Sequence, residues 1–131
     1  QLMLNHEADY TNTFVRLTLA VDGQDGHDLE GTEPLFSAEA FSAWKTRWHA
    51  RLDKQAQSRQ ETAARMQSAN PFVTPRNALV EAALEAAEAH DMQPFNALLS
   101  ILQSPFDPES NIRAYQKVPK DSRGYMTYCG T

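Results

Sequence analysis

Apolar side chains recur every three or four residues along most of the chain, a pattern typical of amphipathic helices that bury one face. The first stripe predicts a helix over residues 1–20. Residues 22–33 interrupt the pattern, and a second stripe then predicts a helix that begins near Ser37, a favourable N-cap residue, and includes Leu52. We expect both helices to pack against others, since an apolar stripe needs a covering surface.

Local capping signals place the next helix. Ser58 and Glu61 have the spacing of a capping box, in which each side chain satisfies a backbone N–H of the other residue. This predicts a helix over residues 59–68, which ends before Pro71 because the residue preceding a proline avoids helical backbone angles.

Two further helices are predicted to form a hairpin. Thr74 followed by Pro75 is typical of an N-cap and first helical residue, and predicts a helix over residues 75–90. Asp91 is then placed to cap the last helix. The short connection favours an antiparallel pair. The apolar positions that we expect to be largely buried are Phe14, Phe41, Trp44, Trp48, Leu98, Leu99 and Leu102.

Composition agrees with a helical fold. The chain holds 18 Ala and 12 Leu but only 5 Val and 2 Ile, and β-branched residues are those that sheets favour. Its 131 residues correspond to one domain. We therefore predict an all-α domain of four to five helices over residues 1–108, followed by an irregular, extended tail over residues 109–131.

The acidic segment 22–33 invites a calcium-binding interpretation, because it contains five carboxylates, three glycines and no Lys or Arg. An EF-hand loop, however, needs ligands at alternate positions, Gly at its sixth position and Glu at its twelfth. That spacing is absent here, which favours a solvated loop.

Charge and hydropathy argue against two classes of partner. A net charge of −5 is unlike that of a dedicated nucleic-acid binder. Arg47 and Arg51 lie near Trp44 and Trp48 and could suggest a base-stacking platform, but both tryptophans belong to an apolar stripe and are core candidates first. No apolar run approaches the roughly 18 residues of a membrane span.

Motifs that carry chemistry are missing from the sequence. Neither of the standard glycine-rich phosphate loops is present, and the four histidines include no i, i+4 pair that could hold zinc on a helix. We therefore assign no catalytic, cofactor-binding or metal-binding residue to this chain. Cys129 is its single cysteine, so no disulfide can form within it, and this thiol is the one candidate site residue, with an inert terminal cysteine as the alternative.

The first residues already belong to a helical stripe, with no N-cap, initiator methionine or signal-peptide pattern before them. We interpret the chain as a piece of a longer, cytoplasmic protein. A frayed natural terminus is the alternative.

Several short motifs, taken in their order and spacing, resemble the carboxy-terminal part of the selenoprotein O family, the kinase-like protein adenylyltransferases. The motifs are Ala8-Asp9-Tyr10-Thr11-Asn12-Thr13-Phe14, Trp44-Lys45-Thr46-Arg47-Trp48, Asn70-Pro71, Pro75-Arg76-Asn77, residues 80–87, Asp91-Met92-Gln93-Pro94-Phe95, Leu98-Leu99, Pro105-Phe106-Asp107 and Tyr128-Cys129-Gly130-Thr131. The resemblance covers nearly the whole chain except the acidic segment.

This resemblance implies a parent enzyme with a pseudokinase fold that transfers AMP from ATP to Ser, Thr or Tyr hydroxyls of proteins, using Mg or Mn. It implies that the nucleotide and metal ligands lie upstream of this chain, that the chain packs against the kinase-like core of the same polypeptide, and that protein substrates are the enzyme's partners. It also implies a redox role for Cys129, which matches a position where many eukaryotic members carry selenocysteine. The ending Cys-Gly-Thr differs from the Cys-Ser-Ser of other members. A self-sufficient, non-catalytic helical module that binds a protein partner remains the alternative function.

Overall fold

The computed structural model describes residues 1–21, 23, 29–108 and 112–118. Within these ranges there are seven α-helices, one 3-10 helix and no strand. The helices are α1 (Leu2–Asn5), α2 (Tyr10–Val21), α3 (Glu33–Phe36), α4 (Glu39–Leu52), α5 (Arg59–Ala69), α6 (Asn77–Glu88), α7 (Gln93–Gln103) and the 3-10 helix Ile112–Gln116. The predicted all-α fold is confirmed; five of these α-helices have 11 or more residues, and α1 and α3 are single turns of four.

The single helix predicted over residues 1–20 is wrong, because the chain breaks between α1 and α2. Glu7 has a positive φ of 48°, which ends α1. Asp9 then caps α2, since its Oδ1 accepts a hydrogen bond from the backbone N–H of Asn12 at 2.8 Å. A polar cap inside an apolar stripe therefore divides the predicted helix in two.

The predicted cap at Ser37 is also wrong. Ser37 instead ends α3, and its hydroxyl donates to Glu33 Oε1 at 2.7 Å. α4 begins at Glu39 with Ala38 as its N-cap residue. The short helix α3, which has Pro34 in its first turn, therefore ends at the serine that was predicted to cap α4.

The capping box of α5 is confirmed. Ser58 Oγ accepts from the backbone N–H of Glu61 at 3.1 Å, and Glu61 Oε2 accepts from the backbone N–H of Ser58 at 2.7 Å. The helix runs one residue beyond the predicted end.

The predicted hairpin is formed by α6 and α7, which pack on each other more extensively than any other pair of elements in the described residues. Its first helix begins at Asn77 with Arg76 as N-cap, so the predicted cap at Thr74 is wrong. Asp91 does act at the start of α7, because its Oδ1 accepts from the backbone N–H of Gln93 at 3.0 Å.

Two buried clusters form the core, and α2 contributes to both. Val15 packs with residues distant in sequence, including Leu29, Phe72, Val73 and Ile112. Leu17 packs with Leu35 and Phe41. α2 therefore joins the amino-terminal helices to the second half of the chain.

Only part of the predicted core is buried. Phe41 and Leu98 are buried, as predicted, whereas Phe14, Trp44, Trp48 and Leu102 are half-buried. Leu99 is 44% exposed, so its predicted burial is wrong. It lies about 100° around α7 from the buried Leu98, so the two side chains leave the helix in different directions.

The described end of the acidic segment is not a solvated loop. Leu29 and Thr32 are buried, because Leu29 enters the core and the Thr32 hydroxyl donates to the Leu29 carbonyl at 2.6 Å. Residues 22 and 24–28 lie outside the described residues, so the loop prediction is untested there.

Part of the predicted tail also packs on the helices. Ile112 and Gln116, at the two ends of the 3-10 helix, are both buried. The boundary predicted at residue 108 stays a prediction, and residues 109–111 and 119–131 lie outside the described ranges.

Candidate functional site: a buried polar clamp and an apolar groove

The predicted site residue, Cys129, lies outside the described residues, and its role stays a prediction. In the ranges that the structure does describe, no group of three or more His, Cys, Asp or Glu side chains is placed to hold a metal ion. Two features of the described residues are candidates for a functional role: a buried polar cluster around Asp9 and an apolar groove beside it.

The polar cluster is centred on an ion pair between Asp9 and Arg76. Arg76 Nη1 donates to Asp9 Oδ2 at 2.6 Å and Nη2 donates to Oδ1 at 3.0 Å, so the two planar groups meet through two parallel bonds. The side chains are only 11% and 12% exposed. The pair joins the start of α2 to the start of α6, 67 residues away.

Asn12 extends this cluster toward the end of the described chain. It is completely buried, and its Nδ2 donates to the carbonyls of Glu30 and Gln116, both at 2.8 Å. Gln116 Nε2 in turn donates to the Phe72 carbonyl at 2.8 Å. We call Asp9, Asn12, Arg76 and Gln116 the polar clamp, because together they hold four separate stretches of the chain.

Gly31 allows the loop before α3 to approach the clamp. Its backbone carbonyl accepts from the N–H of Asp9 at 2.9 Å, and its φ is 79°. A Cβ at this position would lie 3.0 Å from Asp9 Cβ and 3.1 Å from Val118 Cγ2. Glycine is therefore required by both the backbone angle and the close approach.

The polar clamp brings together two motifs quoted above, residues 8–14 and 75–77. Sequence analysis singled out both but did not predict their contact. The available signal was a set of polar residues, Asp9, Asn12 and Thr13, at helical spacing beside apolar positions of the same stripe. Since both Asp9 carboxylate oxygens accept hydrogen bonds within the protein, we interpret the clamp as a structural element.

The apolar groove lies between α1, α2, α3 and α4 and has a volume of about 370 Å³. Its lining is apolar apart from Gln1 and Thr13. The lining residues are Gln1, Leu2, Met3, Thr13, Phe14, Leu17, Leu35, Phe41 and Trp44. Thr13 is 1% exposed, and its buried Oγ1 has no hydrogen-bond partner among the described residues.

A stack of aromatic rings runs from the groove along α4. The rings of Phe41 and Trp44 have centroids 5.4 Å apart, and those of Trp44 and Trp48 are 5.7 Å apart and inclined by 11°. Both tryptophans are half-buried. The predicted core helix α4 thus leaves part of its aromatic stripe uncovered in the described residues.

Another cavity lies elsewhere, between the α4–α5 connection and α5. Its volume is about 510 Å³, and Gln55, Thr62, Arg65 and Asn70 are among the side chains that line it. It contains no carboxylate, histidine or thiol. This cavity therefore has none of the side chains that commonly serve as general bases.

Among the described residues, the carboxyl groups of Glu33 and Glu61 have displaced pKa values, and both lie at helix ends. The Ser37 hydroxyl, helped by Arg16, holds the pKa of Glu33 below its ordinary value against some desolvation. Hydrogen bonds from the backbone and then the side chain of Ser58 lower the pKa of Glu61. Since a general acid at neutral pH needs a raised carboxyl pKa, these two groups have the properties of caps rather than of proton donors.

Comparison with known proteins defines the class. A family model described as protein adenylyltransferase SelO matches residues 1–103, which is most of the chain. The chain therefore belongs to the SelO protein adenylyltransferase family, as the sequence motifs predicted.

Individual relatives agree with this assignment. A protein nucleotidyltransferase YdiU from Clostridium beijerinckii is 41% identical over 131 residues, covering 99% of this chain and 25% of the relative. The protein of the same name from Halalkalibacterium halodurans is 42% identical over 135 residues, covering 100% of this chain and 25% of the relative. The chain thus spans about a quarter of the length of these relatives. No solved structure matches it.

No helix among the described residues combines the length and apolar character needed to cross a bilayer.

Proposed function

We propose that this chain is the carboxy-terminal helical part of a longer protein adenylyltransferase, which transfers AMP from ATP to Ser, Thr or Tyr hydroxyls of other proteins. The observation that carries the proposal is the SelO family match over residues 1–103. The relatives named protein nucleotidyltransferase add support, since they match this chain over 98% or more of its length.

The nucleotide site belongs, in this proposal, to a kinase-like core outside residues 1–131. ATP and Mg or Mn would bind there. The described residues do not fit such a site, because they offer neither a metal-binding cluster nor a glycine-rich phosphate loop. We therefore assign this chain a scaffolding role against that core, in a cytoplasmic enzyme.

The reaction can be tested with the complete protein and two labelled forms of ATP. In AMP transfer the acceptor hydroxyl loses its proton, its oxygen bonds to the α-phosphorus, and the bond to the β-phosphate breaks to release pyrophosphate. We expect label from the α-phosphate on the acceptor protein and none from the γ-phosphate. Transfer of the γ-label, or no transfer from either position with Mg or Mn, would contradict the proposal.

Residues 1–131 alone provide the control. They should transfer no AMP and bind no stoichiometric ATP. ATP binding by this chain alone would contradict the placement of the nucleotide site. An inactive complete protein that binds a protein partner through these helices would instead favour a non-catalytic interaction module.

We further propose that Cys129 is a redox-regulatory thiol of the complete enzyme. The family resemblance supports this role, since Cys129 matches a position where many eukaryotic members carry selenocysteine. Cys129 is the single cysteine of these 131 residues. A disulfide partner must therefore be supplied by the rest of the polypeptide.

A further inference from the structure

We draw no further inference here: the strongest candidate, the face of α4 on which the exposed Arg47 and Arg51 adjoin the half-buried Trp44 and Trp48, carries nothing because nothing in the structure shows what covers it.

Discussion

Asp9 illustrates how much structure a single side chain can determine. Its carboxylate caps α2 through the N–H of Asn12 and pairs with Arg76 through both oxygens. Charges this far from water are stabilised only when both partners are present, because the desolvation of each must be offset by the other. The pair therefore specifies how the two halves of the chain meet.

We predict that Arg76→Met destabilises the chain by about 3–5 kcal/mol, since it leaves the Asp9 carboxylate buried without its cation. Arg59→Met is the matched control. Arg59 pairs with Asp53, but the two side chains are 39% and 64% exposed, so that change should cost less than about 1 kcal/mol. Urea unfolding of both variants measures the difference, and equal losses would contradict our assignment of Arg76.

The capping box predicts a pH dependence. The pKa of Glu61 is lowered in the folded protein, so its contribution to stability is present above the unfolded pKa and is lost as pH falls through the folded pKa. Glu61→Gln keeps the hydrogen-bonding pattern but does not titrate. We expect the wild type to lose stability relative to this variant on acidification below the ordinary range of a glutamate. A difference that stays constant with pH, measured by urea unfolding, would argue against this role.

These two examples show which residue contacts the sequence could predict. The capping box is formed by residues three apart, so its geometry follows from the helix itself. The ion pair joins residues that are 67 positions apart in the sequence, and no local sequence pattern predicts such a contact. Asp9 and Arg76 were both recognisable as parts of motifs, but their contact required the fold.

At the scale of elements, the α6–α7 hairpin contains His90 at the end of α6, in a backbone conformation that most residues avoid. His90 has a φ of 67°, and the N–H groups of His90 and Asp91 donate to the carbonyls of Ala87 and Ala86 at 3.0 and 2.9 Å. This is a Schellman ending, in which glycine normally occupies the left-handed position. The hairpin turn therefore contains a histidine where the backbone favours glycine.

We predict that His90→Gly stabilises the chain by about 1 kcal/mol, because glycine adopts the left-handed conformation without steric cost. His6→Gly is the matched control: His6 ends α1 with a φ of −108°, so glycine gains nothing there and adds freedom to the unfolded chain. Thermal unfolding distinguishes the two. A loss of stability on His90→Gly would show that the imidazole makes a contribution larger than the backbone strain.

Helix existence could be predicted well and helix boundaries poorly, for a physical reason. Apolar periodicity or a local cap identified each of the five longer helices, and α5, which has no buried residue, was placed by its capping box. The boundaries depended on which polar residue supplies the cap, and here α2 uses Asp9 while α3 takes Ser37. When two neighbouring helices can use the same polar residue as a cap, the sequence pattern of either helix alone does not predict which one uses it.

At the scale of the whole molecule, periodicity overestimated burial. Trp44, Trp48 and Phe14 are half-buried and Leu99 is exposed, although each lies on an apolar stripe. A stripe shows that a face is apolar, but not that the same 131 residues supply the surface covering it. A chain spanning a quarter of its relatives' length is where this distinction matters most.

The polar clamp also limits where the candidate thiol can act. Gln116 is buried, and the N–H of Val118 lies 3.3 Å from Glu30 Oε2. Cys129 is eleven positions after Val118. Since each residue spans at most about 3.6 Å, the chain that follows Val118 can extend at most roughly 40 Å up to position 129. In the proposed redox role, a cysteine that pairs with Cys129 must come within that distance of Val118.

We predict that hydrogen peroxide joins Cys129 of the complete protein to a cysteine outside residues 1–131. The two thiols would give up two electrons and two protons to the peroxide, forming one disulfide and two waters. Peptide mapping without reduction should identify the joined peptides, and Cys129→Ser should abolish the response of AMP transfer to reductant. Ser122→Ala, in the same stretch of sequence, is the control and should leave that response intact. If Cys129 stays a free thiol while activity still changes with reductant, the switch lies in another part of the protein.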